Sequence, residues 1–183
     1  MQLAQVLDVI EGLLLASEHP DIVKVDRYGT GTEPWGPTVE RSRTKSVAGV
    51  KVTYTSTATA ILLGMIKPET YPVPMPADMP PPSRRAPRLA IFVAQLLDVA
   101  RPAIFSAWEL MSSPTVGDPA QLGQLPYGIS ITGTDRTKML LMAQATGAMV
   151  GTDPAEEPFP EYVIPEGVKS WHLRLNATSP ARA

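Results

Sequence analysis

The longest apolar stretch of the chain, residues 86–113, carries a proline near its middle, and this feature constrains the fold most. Pro102 has no N–H to donate and its ring clashes with the preceding helical turn, so one continuous helix cannot run through the stretch. A bilayer span needs about 20 apolar residues, and this run is too short and too interrupted by charges for that. The stretch therefore predicts two buried elements that meet near residue 100.

The first half of this stretch predicts an amphipathic helix. Pro87 suits the first turn, where a missing N–H costs nothing. Apolar residues then recur at i, i+3, i+4, i+7 and i+8, which places them on one helical face: Leu89, Phe92, Val93, Leu96 and Leu97. This face should pack on a core.

We interpret the second half, residues 102–111, as a second helix that is apolar on most sides. A helix of this kind must be covered almost all round. Phe105 and Trp108 therefore either fill the core of the domain or face a partner protein, since aromatic side chains are enriched at interfaces. The excess of apolar sides makes this half a candidate for contact with another chain.

A proline-rich arm, residues 67–87, precedes the central stretch and holds many of the 20 prolines of the chain. Proline favours extended polyproline II conformation. The tract is typical of a spacer, of an arm laid on its own domain or on a neighbouring subunit, or of a ligand for a proline-binding domain. Arg84, Arg85 and Arg88 follow it and oppose the helix dipole, which indicates either an acidic contact or a solvated surface.

The N-terminal third predicts a helix followed by strands. Residues 1–17 carry a single apolar stripe, and residues 21–28 form a short run rich in valine. Residues 38–63 suggest a hairpin or meander with its turn at Ala48 and Gly49. Arg41, Arg43 and Lys45 share one side of it, either as a solvated face or as a contact for an acidic partner or a phosphate backbone.

The secondary structure of the C-terminal third is predicted less clearly by its sequence. Residues 128–131 and 170–175 predict strands. Residues 135–146 could be a helix with Thr134 as its N-cap and Gly147 beyond its end, or the second strand of a hairpin turned at residues 133–135. We favour the helix.

Together these elements predict an α+β fold in one domain over residues 1–183. We expect an antiparallel sheet packed by the N-terminal helix and by a central helix pair broken at proline, with the arm at 67–87 and a polar tail at 176–183. A chain of 183 residues is long enough to bury a sizeable core.

Composition excludes several classes of protein. The absence of cysteine removes disulfides and thiolate chemistry, and a net charge of −2 argues against nucleic acid and anionic membranes as partners. The N-terminal segment lacks a basic region and carries Asp8 and Glu11, so we do not expect a signal peptide. The expected location is the cytoplasm or an assembled particle.

The sequence shows no catalytic constellation, and we expect no enzyme activity, cofactor or metal. His19 and His172 are the only histidines, and no nucleophile elbow is present. The densest acidic set lacks the tight ligand alternation of a hard-cation loop: Asp153, Glu156, Glu157 and Glu161.

The sequence does not identify an activity, and the leading hypothesis is a non-catalytic interaction subunit of a homo-oligomeric or multi-component assembly. Threonine-rich strands and a long proline arm are common in such subunits, including those of viral particles and tails, although fold analogy alone is a weak argument. The alternatives are an enzyme or small-molecule binder with a pocket lined by Trp35, Trp108 or Trp171, and a regulatory protein that inhibits a partner. Trp35, between two loop residues, is either a packing anchor or a contact. Protein partners should meet the following residues: Arg84, Arg85, Arg88, Phe105, Trp108 and Trp35.

Overall fold

A computed structural model of the protein describes residues 1–30, 47–65, 69–115, 123–147 and 153–173. Helix α1 spans Leu3–Ala16 and helix α2 spans Arg85–Ala100. The strands are β1 (Ile22–Thr30), β2 (Val47–Tyr54), β3 (Thr59–Met65), β4 (Tyr71–Pro72), β5 (Phe105–Ser112), β6 (Gly128–Gly133) and β7 (Lys138–Thr146). A 3₁₀ turn lies at Glu166–Val168.

The strands form one seven-stranded antiparallel sheet in the order β1-β2-β3-β7-β6-β5-β4. The predicted α+β class with an antiparallel sheet is therefore confirmed. Strands β1 to β3 follow one another as a meander. Strand β7 then pairs with β3 from Thr59↔Thr146 to Met65↔Leu140, which joins the meander to the C-terminal strands.

Both helices pack on the same face of the sheet. Helix α1 covers β1 and β2, α2 crosses β3, β5, β6 and β7, and the helices contact each other. The N-terminal helix and the first central helix were both predicted, because their apolar stripes have helical spacing. Alternate residues of the strands supply the buried sheet side of this core: Val50, Val52, Ala60, Leu62, Ile129, Ile131, Leu141 and Ala143.

Helix α2 ends where Pro102 predicted a break. Its last residue is Ala100, and Arg101 takes the left-handed conformation with φ 45° while its N–H donates to the carbonyl of Leu97. This is a common way to end a helix.

The second central helix, predicted over residues 102–111, is wrong. The segment forms strand β5, which pairs with β6 from Phe105↔Gly133 to Met111↔Gly128. A short run that is apolar at most positions fits a strand as well as it fits a buried helix. The backbone partners offered by β6 decide between the two.

The preferred helix at residues 135–146 is also wrong, and the alternative hairpin is observed. The Gly133 N–H donates to the Thr137 carbonyl at 2.8 Å, and β7 then returns along β6. Strand β7 lies between β3 and β6, where neighbours on both edges favour an extended backbone over a helix.

Two further predictions need correction. Ala48 and Gly49 lie within β2, and the turn to β3 comes after Tyr54, whose N–H donates to the Ala58 carbonyl at 2.9 Å. Trp171, within the predicted strand 170–175, is helical together with the next two residues, the last that the structure describes. Arg41, Arg43, Lys45, the rest of 31–46 and the tail at 176–183 lie outside the described residues.

The described part of the proline-rich arm lies on its own domain. Tyr71 and Pro72 form β4 against the end of β5, and the Val73 N–H donates to the Leu110 carbonyl at 2.9 Å. Pro80 and Pro82 are buried further along. Backbone pairing and burial therefore anchor the arm at both of these points.

On the sheet face away from the helices, two glycines allow side chains of the neighbouring strands to lie directly over their backbone. A Cβ at Gly49 would lie 2.1 Å from the Leu62 carbonyl oxygen and 2.9 Å from Leu63 Cδ2. A Cβ at Gly128 would similarly lie 2.7 Å from Met142 Sδ. Leu63 and Met142 thus cover glycine backbone, and both are buried.

We predict that Gly49→Ala destabilises the protein by about 1–3 kcal/mol, because the new methyl group meets a backbone oxygen that cannot move without disturbing the β2–β3 ladder. Urea unfolding would measure the change in the free energy of unfolding. Gly29→Ala is the control, since a Cβ on this β1 glycine meets nothing within 4 Å. Equal losses from the two variants would contradict the packing argument.

Candidate functional site

A groove of about 400 Å³ lies between the proline-rich arm, α2 and β5. We call it the β5 groove. Its lining comes from three elements that are distant in sequence: Pro72, Val73, Pro74 and Met75 of the arm, Ala94 and Asp98 of α2, and Trp108, Glu109 and Leu110 of β5. Most of these lining residues are apolar, and Asp98 and Glu109 add two carboxylates.

Trp108 stands on the α2 side of β5. Its indole Nε1–H donates to Asp98 Oδ1 at 2.8 Å, so the last turn of α2 holds the ring in place. Trp108 is half-buried, whereas Met75 across the groove remains 40 % exposed. A ring oriented by a hydrogen bond but open on one side is a typical recognition surface, since Trp combines a large apolar area with a polar group.

The edge of β5 next to this groove is only partly paired. Strand β4 pairs with Met111 and Ser112, and Val73 adds one bond to Leu110. Peptide groups of alternate residues point to the same edge of a strand, so those of Trp108 point toward the groove. Among the described residues, no backbone group pairs with Trp108 on that side. The groove therefore contains an open strand edge.

The acidic groups of the groove lie at its exposed rim. Asp98 is exposed, and the Glu109 side chain is 54 % exposed. Lys138 Nζ approaches Glu109 Oε2 at 3.6 Å, a distance and exposure at which an ion pair contributes little. The rim favours a ligand with positive charge.

The structure places Arg85 and Arg88 away from this groove, in ion pairs within the chain. Arg85 contacts Asp153 through Nε at 2.7 Å and Nη2 at 2.6 Å, and Ser56 Oγ donates to the same carboxylate at 3.1 Å. Arg88 contacts Glu157 at 2.6 Å and also donates to the Pro80 carbonyl. These pairs tie the C-terminal segment and the arm to α2, so most of the positive charge predicted for a partner is balanced internally.

The other predicted contact residues lie elsewhere. Arg84 is the residue immediately before α2, and its N–H donates to the Pro81 carbonyl at 2.8 Å. Phe105 is 6 % exposed and belongs to the core, with a bulge between it and Ala107. Trp35 lies outside the described residues. Partner binding at these three positions and at the ion-paired arginines stays a prediction, and Trp108 is the predicted contact that lines the groove.

Sequence reasoning missed the neighbours of Trp108. Val73 and Met75 come from the arm, Asp98 from α2 and Glu109 from β5, and nothing in their local spacing signals a common site. The alternation of apolar residues and proline at 72–75 was the one available signal, since it suits an edge strand that exposes every second side chain.

An aromatic cluster surrounds His19 at the other end of α2. The His19 ring lies 4.2 Å from that of Tyr162 and 5.1 Å from that of Phe92, measured between centroids. The Asp21 N–H donates to His19 Nδ1 at 3.1 Å, and Tyr162 Oη donates to the Ser17 carbonyl at 2.7 Å. An accepting Nδ1 carries no proton, so the geometry selects neutral histidine.

Burial lowers the pKa of His19 below its ordinary value of 6.5. The nearby charge of Arg88 also lowers this pKa, while Asp21 and Glu157 oppose the shift. Burial disfavours the charged form of Tyr54 too, and so raises the pKa of this phenol. Tyr54 lines a cavity of about 30 Å³ together with His19, Asp21 and Arg88. A cavity of this size has room for about one water, so we interpret the cluster as structural.

The described residues contain no group of three or more His, Asp or Glu side chains arranged to hold a metal ion. No helix in the described ranges is long and apolar enough to cross a membrane. No protein-family model, curated protein sequence or solved structure matches the chain. The function must therefore be argued from the geometry.

We predict that Arg85→Ala lowers the free energy of unfolding by about 3 kcal/mol. Arg85 and Asp153 are 12 % and 8 % exposed, and removing one partner leaves a buried charge uncompensated. Lys169→Ala is the control, because its pair with Glu166 is exposed and should contribute less than about 1 kcal/mol. Denaturant unfolding would show the contrast, and an equal effect of the two variants would contradict it.

We predict that His19 makes the protein less stable in acid. Because its pKa is lower in the folded state, the unfolded chain binds more protons between the two values. This contribution to stability is complete above pH 6.5 and is lost as the pH falls from 6.5 toward the folded-state pKa. Urea unfolding at several pH values should show the free energy of unfolding falling with pH in this range, both in the wild type and in the control His172→Gln. A His19→Gln variant with the wild-type slope would show that another group is responsible.

Proposed function

We propose that the protein is a non-catalytic interaction subunit that receives an extended segment of a partner protein in the β5 groove. The observation that carries this proposal is the open edge of β5 at Trp108, beside apolar side chains of the arm. A strand edge supplies backbone hydrogen bonds to any extended chain, and adjacent side chains select among such chains.

The lining of the groove specifies the chemistry of the partner. An apolar side chain would contact Trp108, Val73 and Met75 on the α2 face of the added strand, while a lysine or arginine on the opposite face would lie against the carboxylate of Glu109. Successive side chains of an added strand point to opposite faces. The best ligand is therefore an extended segment in which apolar and basic residues alternate.

This role fits an assembly subunit, for which strand addition is a general joining device. It would operate in the cytoplasm or within an assembled particle, of which viral particles and tails are examples. The Arg85–Asp153 and Arg88–Glu157 pairs support the proposal indirectly, because they hold the arm and the C-terminal segment on α2 and so keep the groove formed in the free protein.

A small-molecule site is the second candidate, because a volume of about 400 Å³ lies within the range of ligand pockets. The difference between the two candidates is testable. Strand addition needs the peptide backbone of the ligand, whereas a side-chain or small-molecule site does not.

We predict that a fluorescently labelled peptide of alternating valine and lysine binds the full chain, as measured by fluorescence polarisation. Trp108→Ala should weaken this binding at least about tenfold, as expected for a central aromatic contact. Glu109→Gln should weaken it several-fold, and more at low salt than at high salt. The control variant is Glu166→Gln, an exposed carboxylate outside the groove.

Two comparison peptides complete this test. A peptide with alternate backbone N-methyl groups keeps the side chains but cannot pair with β5, and a valine–glutamate peptide reverses the charge. Strong binding by the N-methylated peptide would move the assignment to a side-chain site. If the valine–lysine peptide did not bind, or bound no better than the valine–glutamate peptide, the proposal would be wrong.

A further inference from the structure

Strand β1 ends the sheet on the side opposite to β4. It pairs with β2 from Ile22 to Thr30, and no other strand in the described part of the chain borders it. A bulge lies between Ile22 and Lys24, and the regular open edge that follows it to Thr30 is long enough to template another strand. This edge is separate from the β5 groove, which lies toward the other end of the sheet.

The backbone of β1 presents donors and acceptors outward at Val25. The Tyr54 N–H donates to the Ala58 carbonyl, so the peptide groups of Tyr54 face β3. Peptide groups alternate along a strand, so those of Thr53 face β1, and its register partner Lys24 faces back toward β2. The N–H and C=O of Val25 therefore point to the open edge.

Apolar side chains flank this edge and are left exposed. Val23 is 66 % exposed and Leu15, at the end of α1, is 53 % exposed. A groove of about 240 Å³ separates this end of α1 from the first half of β1, with Val25 among its lining residues. Exposed apolar groups beside an open edge favour a second covering element.

The charges on β1 are complementary to those of a second β1 strand that lies antiparallel to it. Lys24 and Asp26 flank Val25 and form an ion pair of 3.0 Å within the strand. In an antiparallel pair with its two-fold axis at Val25, Lys24 of each copy lies opposite Asp26 of the other. A two-fold axis at Lys24 or at Asp26 would instead place two like charges opposite each other. Either axis would also pass through a residue whose peptide groups face β2 and are not available to a second copy.

We propose that β1 is a dimerisation edge on which a second copy of this chain pairs antiparallel, with the two-fold axis at Val25. The two Val25 residues exchange their N–H and C=O groups, which joins the two sheets into one. Lys24 and Asp26 form two equivalent cross-strand pairs on the face away from the helices. The two Val25 side chains meet at the axis on the helix face, with Leu15 of each copy beside them.

Sedimentation equilibrium of the full chain over a wide concentration range tests this proposal. The wild type should show a monomer–dimer equilibrium. Lys24→Glu should raise the dimer dissociation constant about tenfold or more, because both cross-strand pairs become repulsive at once. Lys24 is a suitable site, since its side chain is 66 % exposed and its β2 partner is the neutral Thr53.

A charge exchange separates this register from a general effect of charge. The Lys24→Glu, Asp26→Lys double variant restores opposite charges across the axis and should recover the wild-type dissociation constant to within about threefold. An equimolar mixture of the Lys24→Glu and Asp26→Lys single variants should likewise form a mixed dimer. Lys169→Glu, which makes the same charge change on an exposed residue outside β1, should leave the dimer unchanged.

Circular dichroism and urea unfolding would establish that each variant is folded. A wild type that stays monomeric at every concentration would overturn the proposal. So would a dimer that is insensitive to Lys24→Glu, or one that the double variant does not restore. Trp108→Ala should leave the dimer intact while it weakens peptide binding, so failure of this proposal and failure of the β5 groove assignment can be told apart.

Discussion

The ladder between β3 and β7 is the interaction on which the rest of the structure depends. It joins the meander β1-β2-β3 to the strands β4 to β7, which otherwise share no edge. Helix α2 lies across both sides of this junction and covers it with a continuous apolar face. The junction pairs residues about 75 to 90 positions apart in the chain. The position of the β5 groove relative to the β1 edge therefore depends on this pairing.

The two outer strands of the sheet differ in how much of their backbone is paired. At one end the arm contributes the two-residue strand β4 and leaves part of β5 open beside Trp108. At the other end β1 exposes a longer edge with alternating charge and apolar neighbours. We propose an extended segment with basic residues as the partner of the first edge and a second copy of the chain as the partner of the second. With both edges occupied, one subunit would connect a dimer partner to a separate peptide ligand.

Much of the fold followed from local pattern. The helical spacing in residues 1–17 and from Leu89 to Leu97 is unambiguous, and Pro102 ends a helix for steric reasons that no tertiary contact removes. The failures at 102–111 and 135–146 have one cause. Each segment contains an apolar run of only a few residues, and over so short a run hydrophobic periodicity does not distinguish a strand flanked by two neighbours from a buried helix. Strands β5 and β7 find such neighbours only once the sheet assembles.

The candidate site was predictable only in part. Trp108 stood out because a large aromatic side chain in an apolar segment needs cover, but its partners Asp98 and Met75 come from other elements. The arginines after the arm stood out by charge, yet Asp153 and Glu157, nearly 70 residues away, neutralise Arg85 and Arg88 in the folded chain. By itself the sequence determined the two helices, the break at Pro102 and the antiparallel α+β class, since these follow from short-range sterics and periodicity. The tertiary structure decided which apolar segments became strands, which charges were already paired and which edges stayed open, because those outcomes depend on contacts between residues far apart in the chain.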